Sequence, residues 1–245
     1  MPALAIALLA AALAGFSRGF AAFGTAMIYV PLLTLAYDAR TAVVTLFLVD
    51  IVPGVPMLIK AAPDCDRRSM AWMALGAAAL SPVGVALLVI ADAARSQLAL
   101  GLVLVAAVLL MAFRPGLRLR STPLNGITAG AVSGFAGGLC GIFGPPAMIY
   151  LIGRGVDARR TRADSIVFLT GESYVLGATY LVYGLYSWWY LELALLLLPV
   201  YGLATWWGAH SFRGVGEATY RRVLLALLGL VSALLVVRAG LALAA

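Results

Sequence analysis

Long uninterrupted apolar runs constrain this chain more than any other feature. A helix needs about 20 consecutive apolar residues to cross roughly 30 Å of hydrocarbon. Six runs approach or reach that length, at residues 41–59, 70–91, 96–113, 163–183, 190–208 and 223–237. Four shorter ones lie at 1–16, 20–37, 123–136 and 142–152, the last two too short to span comfortably. Inside a bilayer every backbone N–H and C=O must be bonded within the protein, which leaves helices or closed barrels. Runs of this length without alternation specify helices, so the expected fold class is an all-α polytopic membrane protein. Composition agrees, since 64% of the 245 residues are apolar and only 11% are charged, far from the soluble average.

The first run looks like a secretory signal because it leads to Ala12–Gly15. No Lys or Arg precedes it, however, and Gly15 opens a segment that recurs later, so it is read as part of the mature protein.

A net charge of +7 could point to nucleic acid, but its distribution describes a membrane topology instead. With each short run folded back as a hairpin, Lys60, Arg67, Arg68, Arg114, Arg118, Arg120, Arg154, Arg159, Arg160, Arg162, Arg213, Arg221 and Arg222 share one side. The other side keeps Arg40, Arg95 and Arg238. Basic residues in short loops mark the cytoplasmic face, so both termini are expected in the periplasm of a bacterial inner membrane. A hairpin returns the chain to its starting side at any depth, so loop charge does not distinguish spanning hairpins from re-entrant ones. The two cysteines, Cys65 in a cytoplasmic loop and Cys140 in a glycine-rich turn, are not expected to pair.

One segment occurs twice: GFSRGFAAFGTAMIYV at residues 15–30 and GFAGGLCGIFGPPAMIYL at residues 134–151. Gly15, Phe16 and Gly19 match Gly134, Phe135 and Gly138, and Met27-Ile28-Tyr29 matches Met148-Ile149-Tyr150. Asp-Ala-Arg follows each copy, at 38–40 and 157–159, and a long apolar run follows that. The reading is two repeats, 1–122 and 123–245, each a glycine-broken helical hairpin (1–37 and 123–153) followed by three transmembrane helices. Each repeat crosses the membrane an odd number of times, so the two are inverted, a recurring plan of secondary transporters with a midplane site at the repeat interface.

Non-helical backbone at membrane depth survives only where protein or a polar cavity surrounds it, which makes each break a candidate site. A helix that begins there presents unpaired N–H groups that favour anions, and Phe20 onward and Ile142 onward would supply such ends. The candidate substrate-binding residues are therefore Ser17, Arg18, Gly19, Thr25, Gly137, Gly138, Cys140, Gly141, Gly144 and Pro145. Two readings of the glycines stand side by side: breaks that build a site, or small residues that let helices pack closely. Arg18 also has two, a buried planar donor set suited to a sulfonate, sulfite or carboxylate, or an interfacial charge on the cytoplasmic side. Asp50 and Glu172 lie near the middle of their spans, where an acid costs on the order of 2.5 to 3.5 kcal/mol on insertion scales. They are candidate proton carriers, unless one of them neutralises Arg18.

His210 with Trp206 and Trp207 resembles an interfacial belt opposite Trp188 and Trp189. Gly15-Phe16-Ser17-Arg18-Gly19 fits G-x-S-x-G, so a hydrolase using Ser17 and His210 is an alternative class. The strand-turn-helix context of that motif is missing, and the repeat carries Ala136 at the serine position. No catalytic residue, metal site or cofactor is expected.

The two glycine-rich hairpins resemble those of the TauE/SafE family of sulfite exporters. The match is strongest at Gly141-Ile-Phe-Gly-Pro-Pro146 and at Arg162-Ala163. It is weaker in the first copy, where Ala21, Ala22, Phe23, Gly24 and Thr25 replace the family's glycine cluster although Pro31 is in place. The resemblance implies a secondary transporter that moves sulfite, sulfoacetate or another sulfonate or organic anion, generally outward. Its partners would be the small anion, protons or another coupling ion, and the lipid bilayer. The sequence leaves a homodimer and an anion channel open. Arg18, Asp50 and Glu172 are not part of the family pattern, so their roles rest on the physical argument.

Overall fold

A computed structural model describes residues 2–90 and 118–211. The apolar runs at 96–113 and 223–237 lie outside the described residues. Eight helices are described: α1 (Pro2–Ala21), α2 (Thr25–Leu33), α3 (Ala39–Ala61), α4 (Arg67–Ile90), α5 (Pro123–Cys140), α6 (Gly144–Gly153), α7 (Ala158–Val182) and α8 (Trp188–Ser211). Among them α1, α3, α4, α7 and α8 are long and apolar enough to cross a membrane.

The duplicated Asp-Ala-Arg has a local job. Asp38 accepts a hydrogen bond from the Thr41 amide and Asp157 from the Arg160 amide, so each aspartate caps the N-terminus of the long helix it precedes, α3 or α7. Thr122 caps α5 through the Asn125 amide, and Asp66 accepts from the Ser69 amide at the start of α4.

Small residues set the packing. A Cβ on Gly15 or Gly19 would collide with the Tyr201 or Thr205 carbonyl of α8, and one on Gly208 with the Phe16 carbonyl of α1. Gly126, Gly130, Gly134 and Gly138, four residues apart on α5, sit against Trp72, Met73, Ala77 and Ser81 of α4 in the same way. Both seams are parallel, because partner numbers rise together along each pair of helices. Four-residue spacing places the glycines on one helical face and lets two backbones touch. The seams also exchange partners between halves: α1 of the first packs on α8 of the second, and α5 of the second on α4 of the first. Between them α3 and α7 run antiparallel, with Gly54 against Thr170 and Phe47 against Gly177.

These seams move the breaks from their expected places. Helix α1 runs through Gly15 and Gly19 to Ala21, and α2 starts at Thr25 rather than Phe20. Helix α5 runs through Gly137 and Gly138, and α6 starts at Gly144 rather than Ile142. Apposed backbone on α8 and α4 holds Gly15, Gly19 and Gly138 helical, so the chain turns only beyond the seam. At 1.5 Å per residue, α1 and α5 are about 30 and 27 Å long, whereas α2 and α6 return only about 14 and 15 Å. The first arm of each hairpin is thus nearly a full span and the second about half of one.

At one end of the bundle a charged cluster ties the halves together. Arg154, whose side chain is 2% exposed, bonds Asp66 at 3.1 Å and Asp164 at 2.9 Å. Arg159 meets Asp64 at 2.8 Å, and Arg162 Nη2 donates to the Gly19 carbonyl at 2.6 Å, near the C-terminal end of α1 where a cation is favoured. Burial pushes the Asp66 carboxyl up, but Ser69 hydrogen bonds and Arg154 outweigh it and leave it below the ordinary aspartate value.

Candidate functional site

Both breaks use the same staple. Ser17 Oγ donates to the Phe23 carbonyl at 3.1 Å, and Ser133 Oγ donates to the Phe143 carbonyl. Each serine lies on the first arm, and each phenylalanine immediately precedes the second arm or its N-cap. Gly24 (φ 85°) and Gly141 (φ 74°) take the left-handed backbone that reverses the chain.

The reversed chains meet. Arg18, Thr25, Ala26, Met27, Asp50, Gly141 and Gly144 line one cavity of about 40 Å³, walled by Leu46, Phe47, Leu176 and Tyr180. That volume holds a few waters, at roughly 10 to 15 Å³ for each.

Arg18 is 2% exposed. Its Nε donates to Asp50 Oδ1 at 3.0 Å, Nη1 to the Ala22 carbonyl at 3.0 Å and Nη2 to Thr170 Oγ1 at 2.7 Å. Tyr201 Oη donates to the same Asp50 oxygen at 2.6 Å. Asp50, Thr170 and Tyr201 each lie near the middle of a long helix, α3, α7 and α8, so the guanidinium is at mid-depth and not at an interface. Side chains on a helix lean toward its N-terminus, which lifts this one back into the bundle from the last turn of α1. Three of its five N–H groups have partners among the described residues.

The helix starts are unequal donors. The N-cap positions of α2 and α6, Gly24 and Phe143, make no side-chain capping bond. This departs from the capped starts of α3, α4, α5 and α7. Thr25, Ala26 and Met27 line the cavity, and as first-turn residues their N–H groups have no acceptor within the helix. Helix α6 opens Gly144-Pro145-Pro146, and proline has no N–H, so Gly144 is the donor there. The α2 side of the cavity is therefore richer in unbonded donors than the α6 side.

Of the sequence-derived candidates, Arg18, Thr25, Asp50, Gly141 and Gly144 come together at the cavity. Ser17 supports the first break from behind. Gly19 and Gly138 face α8 and α4, and Gly137 faces the Phe143 and Leu176 side chains. Pro145 is buried outside the lining, and the Cys140 side chain lies outside the described set. Glu172 lies apart, 3% exposed, with its Oε1 2.5 Å from Ser81 Oγ. Ser17 and His210 are not joined: the His210 ring is exposed and bonds the Trp206 carbonyl at 3.0 Å. Thr170 and Tyr201 are site residues that sequence reasoning did not single out.

Long apolar helices, two broken hairpins meeting tip to tip and a buried cation between them define a multi-pass membrane protein with a central anion-compatible cavity. The family profile described as "Sulfite exporter TauE/SafE" matches residues 7–235, and the chain belongs to that family. It is accordingly a membrane transporter and not an enzyme. No curated protein and no solved structure matches the chain.

Proposed function

We propose that this protein is a secondary transporter, working outward, for a small sulfur-containing or organic anion such as sulfite or sulfoacetate, with a proton as coupling ion. The observation that carries the reading is the convergence of both helix breaks and Arg18 on one cavity. Arg18, Thr25 and the first amides of α2 bind the anion, Gly141 and Gly144 complete the opposite wall, and Asp50 holds the guanidinium in place. Planar, permanently charged donors suit an oxyanion or sulfonate.

The partner exchange between halves and the antiparallel α3 and α7 support two inverted repeats, 1–122 and 123–245, rocking about the site. The basic cluster around Arg154, Arg159 and Arg162 then lies on the cytoplasmic side of a bacterial inner membrane, with both termini periplasmic. A cavity of a few waters is a closed state, and an anion enters only when one side opens.

Flux of labelled sulfite and sulfoacetate into proteoliposomes tests this. Alternating access predicts saturation with concentration and acceleration of tracer by unlabelled anion on the far side. Flux that never saturates favours a channel and sinks the mechanism.

A further inference from the structure

The two acids buried at mid-span have opposite hydrogen-bond environments. Asp50 is paired with a cation, its Oδ1 accepting from Arg18 Nε and also from Tyr201 Oη. Glu172 has no cation within ion-pair distance among the described residues, and its one polar contact is the Ser81 hydroxyl. That hydroxyl lies 2.5 Å from Glu172 Oε1 and also 2.6 Å from the Ala77 carbonyl. A serine carries one proton. If it donates to Ala77, the second short contact is a bond only when Glu172 is the donor. Burying an ionised carboxylate with a single hydroxyl for company is costly, whereas a protonated one satisfies both contacts.

Among the described residues the surroundings add no compensating charge. Helix α4 presents Ser81 and Ala77, and the α5 face at this level is Gly134 and Gly138. From α3, Asp50 is closed on Arg18, which touches α7 at Thr170, two residues and about 200° of helix away. The next residue after Glu172, Ser173, lines the cavity.

We infer that Glu172, and not Asp50, is the group that carries the coupling proton, held as a neutral acid against Ser81 in the closed state; this rests on the transporter reading above. On release the Glu172 O–H bond breaks, the proton passes to water on the open side, and Ser81 turns its own proton from Ala77 to the new carboxylate. Reprotonation from the opposite side reverses both steps.

Two experiments test it. The first does not depend on transport: the infrared band of a protonated carboxylic acid in purified protein at neutral pH. It is expected in the wild type, lost in Glu172→Gln and displaced in Ser81→Ala. A wild type without the band, or a band untouched by Glu172→Gln, overturns the inference. Glutamine matches the shape of the neutral acid and can donate to Ser81, so this variant is expected to fold, with an unchanged melting temperature as the check.

The second uses sulfoacetate in proteoliposomes with the membrane potential clamped. For one proton per anion, a one-unit pH gradient sets about tenfold accumulation. Glu172→Gln is expected to lose that accumulation entirely while retaining exchange of labelled for unlabelled sulfoacetate at equal pH. Accumulation that survives in Glu172→Gln overturns the proton role. A wild type that moves sulfoacetate without responding to the pH gradient also overturns it, and leaves the transporter standing. A wild type that moves no sulfoacetate defeats the transporter reading for that anion and the coupling role with it.

Discussion

Replacing Asp50 by Asn retains the side chain's shape and removes its charge, which isolates the contribution of the central ion pair. Arg18 would keep a 2%-exposed guanidinium with no counter-charge at Nε. Tyr201 would lose its anionic acceptor as well. Removing one partner of a buried pair costs about 3–5 kcal/mol, because the remaining charge stays desolvated. For a globular chain of this length 1 kcal/mol corresponds to about 2–4 °C, so melting in detergent should fall by roughly 6–20 °C on that scale. The companion variant Arg18→Met with Asp50→Leu removes both charges and refills the space. It should recover most of the loss, since apolar replacement of a buried pair is often neutral or stabilising. Melting curves followed by tryptophan fluorescence report both. An Asp50→Asn protein within about 0.5 kcal/mol of wild type, the ordinary range for surface substitutions, would refute the claim that the pair is desolvated and central.

Other outcomes follow from the packing and the charged end. Gly130→Ala drives a methyl into the Met73 carbonyl and should cost about 1–3 kcal/mol by overpacking. Gly202→Ala in α8 meets nothing within 4 Å among the described residues and should gain about 0.5–1 kcal/mol; paired melting curves decide both. Asp38 and Asp66 carboxyls are held below the ordinary 3.8, in each case because hydrogen bonds outweigh the burial that pushes them up. Their contribution is present above that value and lost as pH falls through the lower folded one. Asp66→Asn should therefore flatten stability against pH below about 4. Burial and neighbouring Asp164 raise the Cys65 thiol. Maleimide should label it slowly near neutral pH, faster at higher pH, and from the cytoplasmic side only, read in a Cys140→Ala background with oriented vesicles.

The helical class, the long spans and both hairpins are legible in the sequence because apolar length and a duplicated segment are strong signals. The positions of the turns are not. Gly15, Gly19 and Gly138 admit two readings from sequence, break or packing surface, and they serve the second, as places where two backbones touch. The spacing of four from Gly126 to Gly138 is a visible sign of that role. Arg18 is legible as a candidate and its depth is not, since depth depends on how far α1 continues before turning. Asp50 as its counter-charge is one of two sequence readings, and only the fold brings the Arg18 side chain at the end of α1 to the middle of α3. Thr170 and Tyr201 carry no sequence mark, because a hydroxyl inside an apolar run looks the same whether it serves the backbone, the core or a distant arginine.

Equilibrium binding of sulfite, sulfoacetate and related oxyanions to the purified protein, read as concentration-dependent thermal stabilisation, tests the central anion site most directly. A ligand at a hundred times its Kd contributes about 2.7 kcal/mol. Saturable stabilisation of the wild type is expected, and none in a folded Arg18→Met, Asp50→Leu protein. Equal stabilisation of the two proteins would contradict it and move the anion site away from the meeting point of the two broken helices.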